Sequence, residues 1–234
     1  GVSRLLSYVK PGACEYEIEA ELMHEFLRNR SKGFAYTPII ASGENANVLH
    51  YIANNMQCKD GDVILLDVGA EYANYSSDLT RMIPVNGKFT ARQKEIYNAV
   101  LDMKNFATSL LVPGNNWYDY HKECGEFYTS KFLELGLLDK ADVQNQDKNW
   151  PAYKKYMMHG TSHHLGLDTH DYGILKDKFV ENMVFTVEPG IYLPAEGFGV
   201  RIEDDLVIQN SGPAFNLMKN IPIEVEEIEE LMNS

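Results

Sequence analysis

The chain has 234 residues, 44% of them hydrophobic, and a formal net charge of −13, so it can bury one sizeable core. No apolar run approaches the ~18 residues of a spanning helix, and no basic, apolar, small-residue sequence resembles a secretory signal, so no membrane partner is expected. The acidic balance, unbroken by any Lys/Arg cluster, repels phosphate backbones and sets nucleic acid aside as a partner.

Cys14, Cys58 and Cys124 are odd in number, widely spaced and free of any C-x-x-C pattern, which argues against a disulfide framework or a thiolate metal site and for a reducing cytoplasm.

In chain order, LLSYVKPG follows Gly1 as a helix already under way before Pro11-Gly12 stops it, which predicts a segment of a longer protein. From Glu15 to Arg30, Ile18, Leu22 and Phe26 recur every four positions and predict a helix with one buried stripe. Asp62 to Ile83 carries two strand-like runs around a turn, expected near Tyr72-Ala73. Thr90 and Gln93 form a capping-box pattern ahead of a helix through Ile96, Val100 and Leu101. Pro113-Gly114 stops that helix, Asn116 can cap the next, and Gly136 ends it. The polar stretch from Leu138 to Lys155 reads as a surface loop near the entrance of a site. Asn182 to Ile208 repeats the run, turn, run pattern. Helices, hairpin, helices, hairpin is the order of two similar halves within one α+β domain spanning residues 1–234.

The acids in the two hairpins need an explanation. Asp67 closes the apolar run Val63-Ile64-Leu65-Leu66, where an isolated carboxylate costs several kcal/mol unless it is paired or metal-bound. A turn at Tyr72-Ala73 places Asp78 directly opposite Asp67, on one face. The plain alternative is that these aspartates brace the turn while Arg81 neutralises them. In the second hairpin Glu188 ends the run Met183 to Val187, and Glu203 shares a face with Arg201 by period-two alternation. Between the hairpins, HGTSHHLGLDTHD packs in His159, His163, His164 and His170. For any one of these taken alone, His164 included, the plain alternative is a hydrogen-bonded structural role. Four carboxylates balance two divalent cations, and oxygen-dominated ligation with one imidazole suits Mn2+, Fe2+ or Co2+, with Zn2+ left open.

The segments SGENANVLHY with His50, LLDVGAEYANYSSDLTR, MHGTSHHLGLDTHD, TVEPGIY and GVRIEDD together resemble the pita-bread metallopeptidases, a family of methionine aminopeptidases, prolidases, Xaa-Pro aminopeptidases and creatinase. The resemblance covers nearly the whole chain. It implies an α+β pita-bread fold, two pseudo-symmetric halves around a curved antiparallel sheet, without the family's usual N-terminal domain. It also implies two divalent metal ions, Mn2+ foremost, held by Asp67, Asp78, His163, Glu188 and Glu203. Asp78 and Glu203 would bridge the ions, Asp67 would hold one, and His163 and Glu188 the other. No ligand is missing, unlike in creatinase, which works without metal, or in relatives that keep the fold only for binding.

Within the family the segments look most like bacterial Xaa-Pro aminopeptidase. The implied reaction releases the N-terminal residue from peptides with proline in the second position, through a hydroxide bridging two metal ions. Glu188, His170 and His50 are the implied catalytic residues, with Glu188 as general base. His50, His159, His170, Tyr192 and Arg201 are the implied substrate contacts, and Arg201 is also placed to hold Glu203. Homo-oligomers are expected of the full-length protein. Prolidase, which cleaves Xaa-Pro dipeptides, is the alternative reading, and a non-catalytic peptide-binding module of the same fold the second.

Overall fold

A computed structural model describes residues 1–234. Helix α1 (Val2–Tyr8) runs into the turn at Pro11-Gly12, and α2 (Glu15–Arg28) starts at a capping box in which Glu17 reaches back to the Cys14 amide. Ile18 and Leu22 are fully buried and Phe26 packs at the edge of the core, as their spacing predicts. Strands β1 (Gly33–Phe34) and β2 (Ile39–Ser42) follow.

The first hairpin comprises β3 (Val63–Asp67), β4 (Ala70–Tyr72), β5 (Tyr75–Ser76) and β6 (Thr80–Pro84). Its turn lies at Ala73-Asn74, whose φ values of 52° and 71° fit a type I′ turn and its right-handed strand twist. That is one residue later than expected, so every cross-strand partner moves by two. Asp67 faces Thr80, and Asp78 lies diagonal to Asp67 rather than opposite it. Because the side-chain period is two, the shift leaves both carboxylates on one face.

Helix α3 (Ala91–Ser109) begins at the expected capping box, with Thr90 Oγ1 accepting from the Gln93 amide and Gln93 Oε1 accepting from the Thr90 amide. Helix α4 (Trp117–Glu134) is capped by Asn116, whose side chain accepts from the amides of Tyr118 and Asp119. The chain leaves it through Gly136 at φ 67°, a left-handed C-terminal stop that favours glycine.

The stretch from Leu138 to Lys155 is not simply a loop. Asp139 caps a short helix, α5 (Lys140–Gln144), through a capping box with Asp142, a single turn too short to show periodicity. None of its residues lines the cavity described below, and Tyr153 packs edge-on against Tyr128 of α4.

The second hairpin comprises β7 (Val184–Val187), β8 (Gly190–Leu193), β9 (Phe198–Arg201) and β10 (Asp204–Val207). Strand β11 (Phe215–Asn216) and helix α6 (Val225–Met232) complete the chain. Val187 pairs with Asp204 and Gly190 with Arg201, one register that places Glu188 opposite Glu203.

The strands form four antiparallel ladders, β1-β4-β5, β2-β3-β6, β7-β10-β11 and β8-β9. Their halves are stitched together across the pseudo-symmetric α+β arrangement. The Glu203 amide donates to the Thr80 carbonyl at 3.1 Å, and the Asp78 amide donates to Asp205 Oδ2 at 3.0 Å. One contiguous core runs from Leu5 to Ile228 and draws on both halves. No helix is long and apolar enough to cross a membrane.

Arg81 does not neutralise Asp67 or Asp78. It lies on the other side of β6, 1% exposed, where alternation sends it into the core. Its Nη1 donates to the carbonyls of Thr80 (2.9 Å) and Glu203 (2.6 Å), its Nε to the carbonyl of Pro222 (2.9 Å), and its Nη2 to Asp204 Oδ1 (2.6 Å). Lys104 of α3 closes on the second oxygen of Asp204. Two buried cations on one buried anion thus brace the seam from behind.

Candidate metal centre

Gly69 sits across from Asp78. A Cβ there would lie 1.8 Å from the Ser77 carbonyl oxygen and 2.7 Å from the Tyr36 ring, so only glycine lets the Tyr36 ring approach. The Tyr36 hydroxyl then lies 2.6 Å from Asp67 Oδ1 and 2.5 Å from Asp78 Oδ1. A phenol has one proton and can satisfy one of these oxygens at a time. Burial first, then the charges of Asp67 and Asp78, push this hydroxyl well above the ordinary tyrosine range, so it stays a donor.

From the opposite half, His163 turns Nε2 toward Asp78 Oδ2 (3.5 Å) and Glu188 Oε1 (3.4 Å). Its Nδ1 lies 2.9 Å from the His164 carbonyl, the arrangement that orients a metal-binding imidazole. Burial lowers the His163 pKa, but the Asp78 hydrogen bond and the Glu188 charge outweigh it and raise the ring to about 9. Glu203, 2% exposed, accepts from Thr80 Oγ1 at 2.7 Å. Glu188 is met by Thr186 Oγ1 at 3.3 Å.

Ligand atoms of Asp78, His163 and Glu203 all lie within 4.8 Å of one another. Asp67 joins this triplet through Tyr36, and Glu188 joins it through His163. The five expected residues are therefore brought together, two from each hairpin and one from the segment between them.

Electrostatics tests whether cations fit here. Burial, then repulsion from Asp78, Glu188 and Asp67, raises Glu203 well above the carboxylate range. Burial raises Asp67 against the opposing Arg201 charge. Burial lifts Glu188 to about 7 although His163 and Arg201 oppose it. Asp67, Glu188 and Glu203 are thus each pushed toward their protonated forms in the metal-free site, a stress that bound cations would relieve. The donors are oxygens and a single imidazole nitrogen, a set that hard or borderline divalent ions accept. The residues fit a metal centre.

Arg201 departs from expectation. Its Nη2 donates to Asp67 Oδ2 at 2.6 Å rather than holding Glu203, because alternation along β9 aims it across the seam at β3. Its Nη1 donates to the Tyr192 hydroxyl at 2.8 Å. Tyr192, expected to touch substrate, is completely buried, and its hydroxyl lies 2.7 Å from His159 Nε2. Protons run one way along this chain, from Arg201 to Tyr192 to His159. Tyr192 thus supports His159 from behind. Burial and the Arg201 charge push His159 down to about 3, so its ring is neutral and accepts at Nε2.

His170 packs edge-on to His163 with centroids 4.4 Å apart. His164 packs against Trp117 and Phe185, so its role is structural as expected, but through aromatic packing rather than a hydrogen bond. A cavity of about 400 Å³ opens over the carboxylates. His50, His159, His170 and Arg201 line it, with Ile39, Leu49 and Ile52 as an apolar wall.

Sequence reasoning missed Tyr36, Thr80 and Asp205. Tyr36 belongs to no motif. Asp205 had a usable signal, since in Glu203-Asp204-Asp205 alternation puts it on the Glu203 face. Burial raises Asp205 to about 8, and one of its oxygens has no partner.

The model of metallopeptidase family M24 matches residues 1–210. The Xaa-Pro aminopeptidase of Haemophilus influenzae is 42% identical over 100% of this chain and 56% of its own length. A structure described as a putative aminopeptidase P from Bacillus anthracis superimposes with a TM-score of 0.91 at 38% identity, over 99% of this chain and 53% of that one. A zinc-substituted Escherichia coli aminopeptidase P in complex with product gives a TM-score of 0.90 at 38% identity, over 99% of this chain and 55% of that one. The chain spans about half the length of the curated relatives it matches.

Proposed function

The chain belongs to metallopeptidase family M24, and from that premise we propose that it is the catalytic domain of an Xaa-Pro aminopeptidase. Its reaction is release of the N-terminal residue from peptides whose second residue is proline. The observation that carries this reading is the convergence of Asp67, Asp78, His163, Glu188 and Glu203 on one cavity edged by three further histidines. The relatives' names supply the proline preference.

Asp67, Asp78, His163, Glu188 and Glu203 would together hold two divalent ions. Such ions, Mn2+ foremost and Co2+, Fe2+ or Zn2+ as alternatives, supply when bound the activation of water near neutral pH and the polarisation of the scissile carbonyl. Glu188, which lines the cavity beside His163, acts as the proton acceptor. His170, packed edge-on to His163 on the cavity wall, offers a ring N–H to the substrate carbonyl as negative charge develops. His50 offers a second donor from the cavity wall. His159, fixed by Tyr192, flanks Glu188 at 3.8 Å. Ile39, Leu49 and Ile52 present an apolar surface that suits an uncharged ring such as proline. Free thiols at Cys14, Cys58 and Cys124 fit a reducing, cytoplasmic setting.

The test is incubation of the full chain with Mn2+ and either an Xaa-Pro-Xaa tripeptide or an Xaa-Pro dipeptide, with product identification. Tripeptide cleavage at the Xaa-Pro bond is expected. Cleavage of the dipeptide alone would make the protein a prolidase, and stoichiometric metal binding without cleavage would make it a binding module.

A further inference from the structure

Glu15 is the first residue of α2, is completely buried, and is absent from the cavity lining. Its carboxylate nevertheless accepts five hydrogen bonds, all from one segment. Oε1 receives the Ser42 amide (2.9 Å), the Ser42 hydroxyl (2.8 Å) and Asn45 Nδ2 (3.1 Å). Oε2 receives the Tyr51 hydroxyl (2.7 Å) and the Met56 amide (2.9 Å). One helical turn on, Glu19 Oε2 accepts Asn54 Nδ2 at 2.8 Å, and Asn54 Oδ1 in turn accepts the Ile40 amide at 3.0 Å.

The residues that Glu15 gathers bracket Leu49, His50 and Ile52, which form one wall of the cavity. Between β2 and β3 this wall contains only a short 3-10 turn, Gly43–Asn47, so few of its amides are tied into a ladder. A solvated loop would be satisfied by water. This one is drawn onto a buried anion at two points in sequence, Ser42-Asn45 and Tyr51-Met56, with His50 between them and itself exposed. An ionised acceptor makes each bond stronger than its neutral counterpart.

We propose that Glu15 is a positioning residue of the active site: its buried carboxylate sets the backbone of residues 42–56 and, through it, the location of His50 and the apolar wall. The assignment rests on the proposed reaction, in which His50 touches substrate. Glutamine at this position keeps the size but turns an NH2 toward donors. Tyr51 can reverse its hydroxyl, but the Met56 amide cannot, and so the loop must shift.

The test compares Glu15→Gln and the milder Tyr51→Phe with the parent chain, each also in a His50→Ala background. Amide hydrogen exchange is followed alongside peptide turnover with Mn2+. Exchange should accelerate across residues 45–56 while β3 and α3 keep their rates. Glu15→Gln should lower kcat/KM by about 10- to 100-fold, as a displacement near 1 Å does. In the His50→Ala background it should cost clearly less than in the parent, leaving only the share that acts through the apolar wall, because residues acting through one another are not additive. A carboxylate that merely stabilises the fold would lower Tm and reduce turnover equally in both backgrounds. That equality, or unchanged exchange at 45–56 in both variants, overturns the proposal. If Glu15→Gln does not fold, Tyr51→Phe carries the same two readouts. If the parent chain cleaves no peptide, the proposed function fails, and the exchange pattern alone decides whether Glu15 orders this wall.

Discussion

Replacing Arg81 by methionine removes the guanidinium that ties the two halves together behind the metal centre. Methionine fills much of the same volume, so the loss is mainly electrostatic. The carbonyls of Thr80, Glu203 and Pro222 each lose a donor, and Asp204, with no exposed surface, is left with Lys104 and with Asn216 Nδ2 at 2.7 Å. Breaking a buried pair from one side costs about 3–5 kcal/mol. For a chain of this size 1 kcal/mol moves Tm by about 2–4 °C, so Tm should fall by roughly 6–20 °C. Calorimetry or urea unfolding measures it.

Two controls sharpen the reasoning. Arg81→Met with Asp204→Leu should recover part of the loss, since removing both charges ends the burial of an undercompensated one. The parent should also show acid sensitivity from this site. Burial raises the Asp204 pKa, but Arg81 and Lys104 outweigh it and hold the folded value below the usual 3.8. Stability from this group is therefore present above about pH 4 and lost as pH falls through the folded value, and Arg81→Met should blunt that loss. A change under about 1 kcal/mol in Arg81→Met, the level of a surface pair, would refute the idea that this network holds the seam.

Asp78→Ala or His163→Ala should abolish metal-dependent peptide cleavage while circular dichroism and chain compactness stay near the parent's; wild-type turnover by either variant would sink the ligand assignment. The metal-free protein should lose stability as pH rises from about 4.5 to 7, because Glu188 titrates near 7 when folded and so binds protons that the unfolded chain has already released. By linkage that group contributes up to about 3 kcal/mol. Saturating Mn2+ should reverse the trend, seen as a rising Tm with pH; a metal-free protein equally stable at both pH values would contradict the crowded-carboxylate reading.

Much of the site was legible in the chain because it depends on local periodicity. Alternation along a strand put Asp67 with Asp78 and Glu203 with Arg201 whatever the details of the turns. The first hairpin shows why: its turn moved by one residue, the partners moved by two, and the face was preserved. Capping chemistry at Thr90, Asn116 and Gly136 likewise announced helix ends, because each cap is made with residues a few positions away. What single-chain patterns could not state was which distant group each buried charge would meet. Arg81 and Arg201 were each assigned the wrong partner, since the true ones lie 123 and 134 positions away. Asp205 meets the Asp78 amide across 127 positions, and Tyr36 reaches Asp78 across 42. The sequence by itself determined which carboxylates share a face, through the two-residue period of a strand. Only the docking of the two halves decided which cation sits on which acid, because a long side chain can point along either of several seams, and desolvation on packing selects the one that leaves no charge alone.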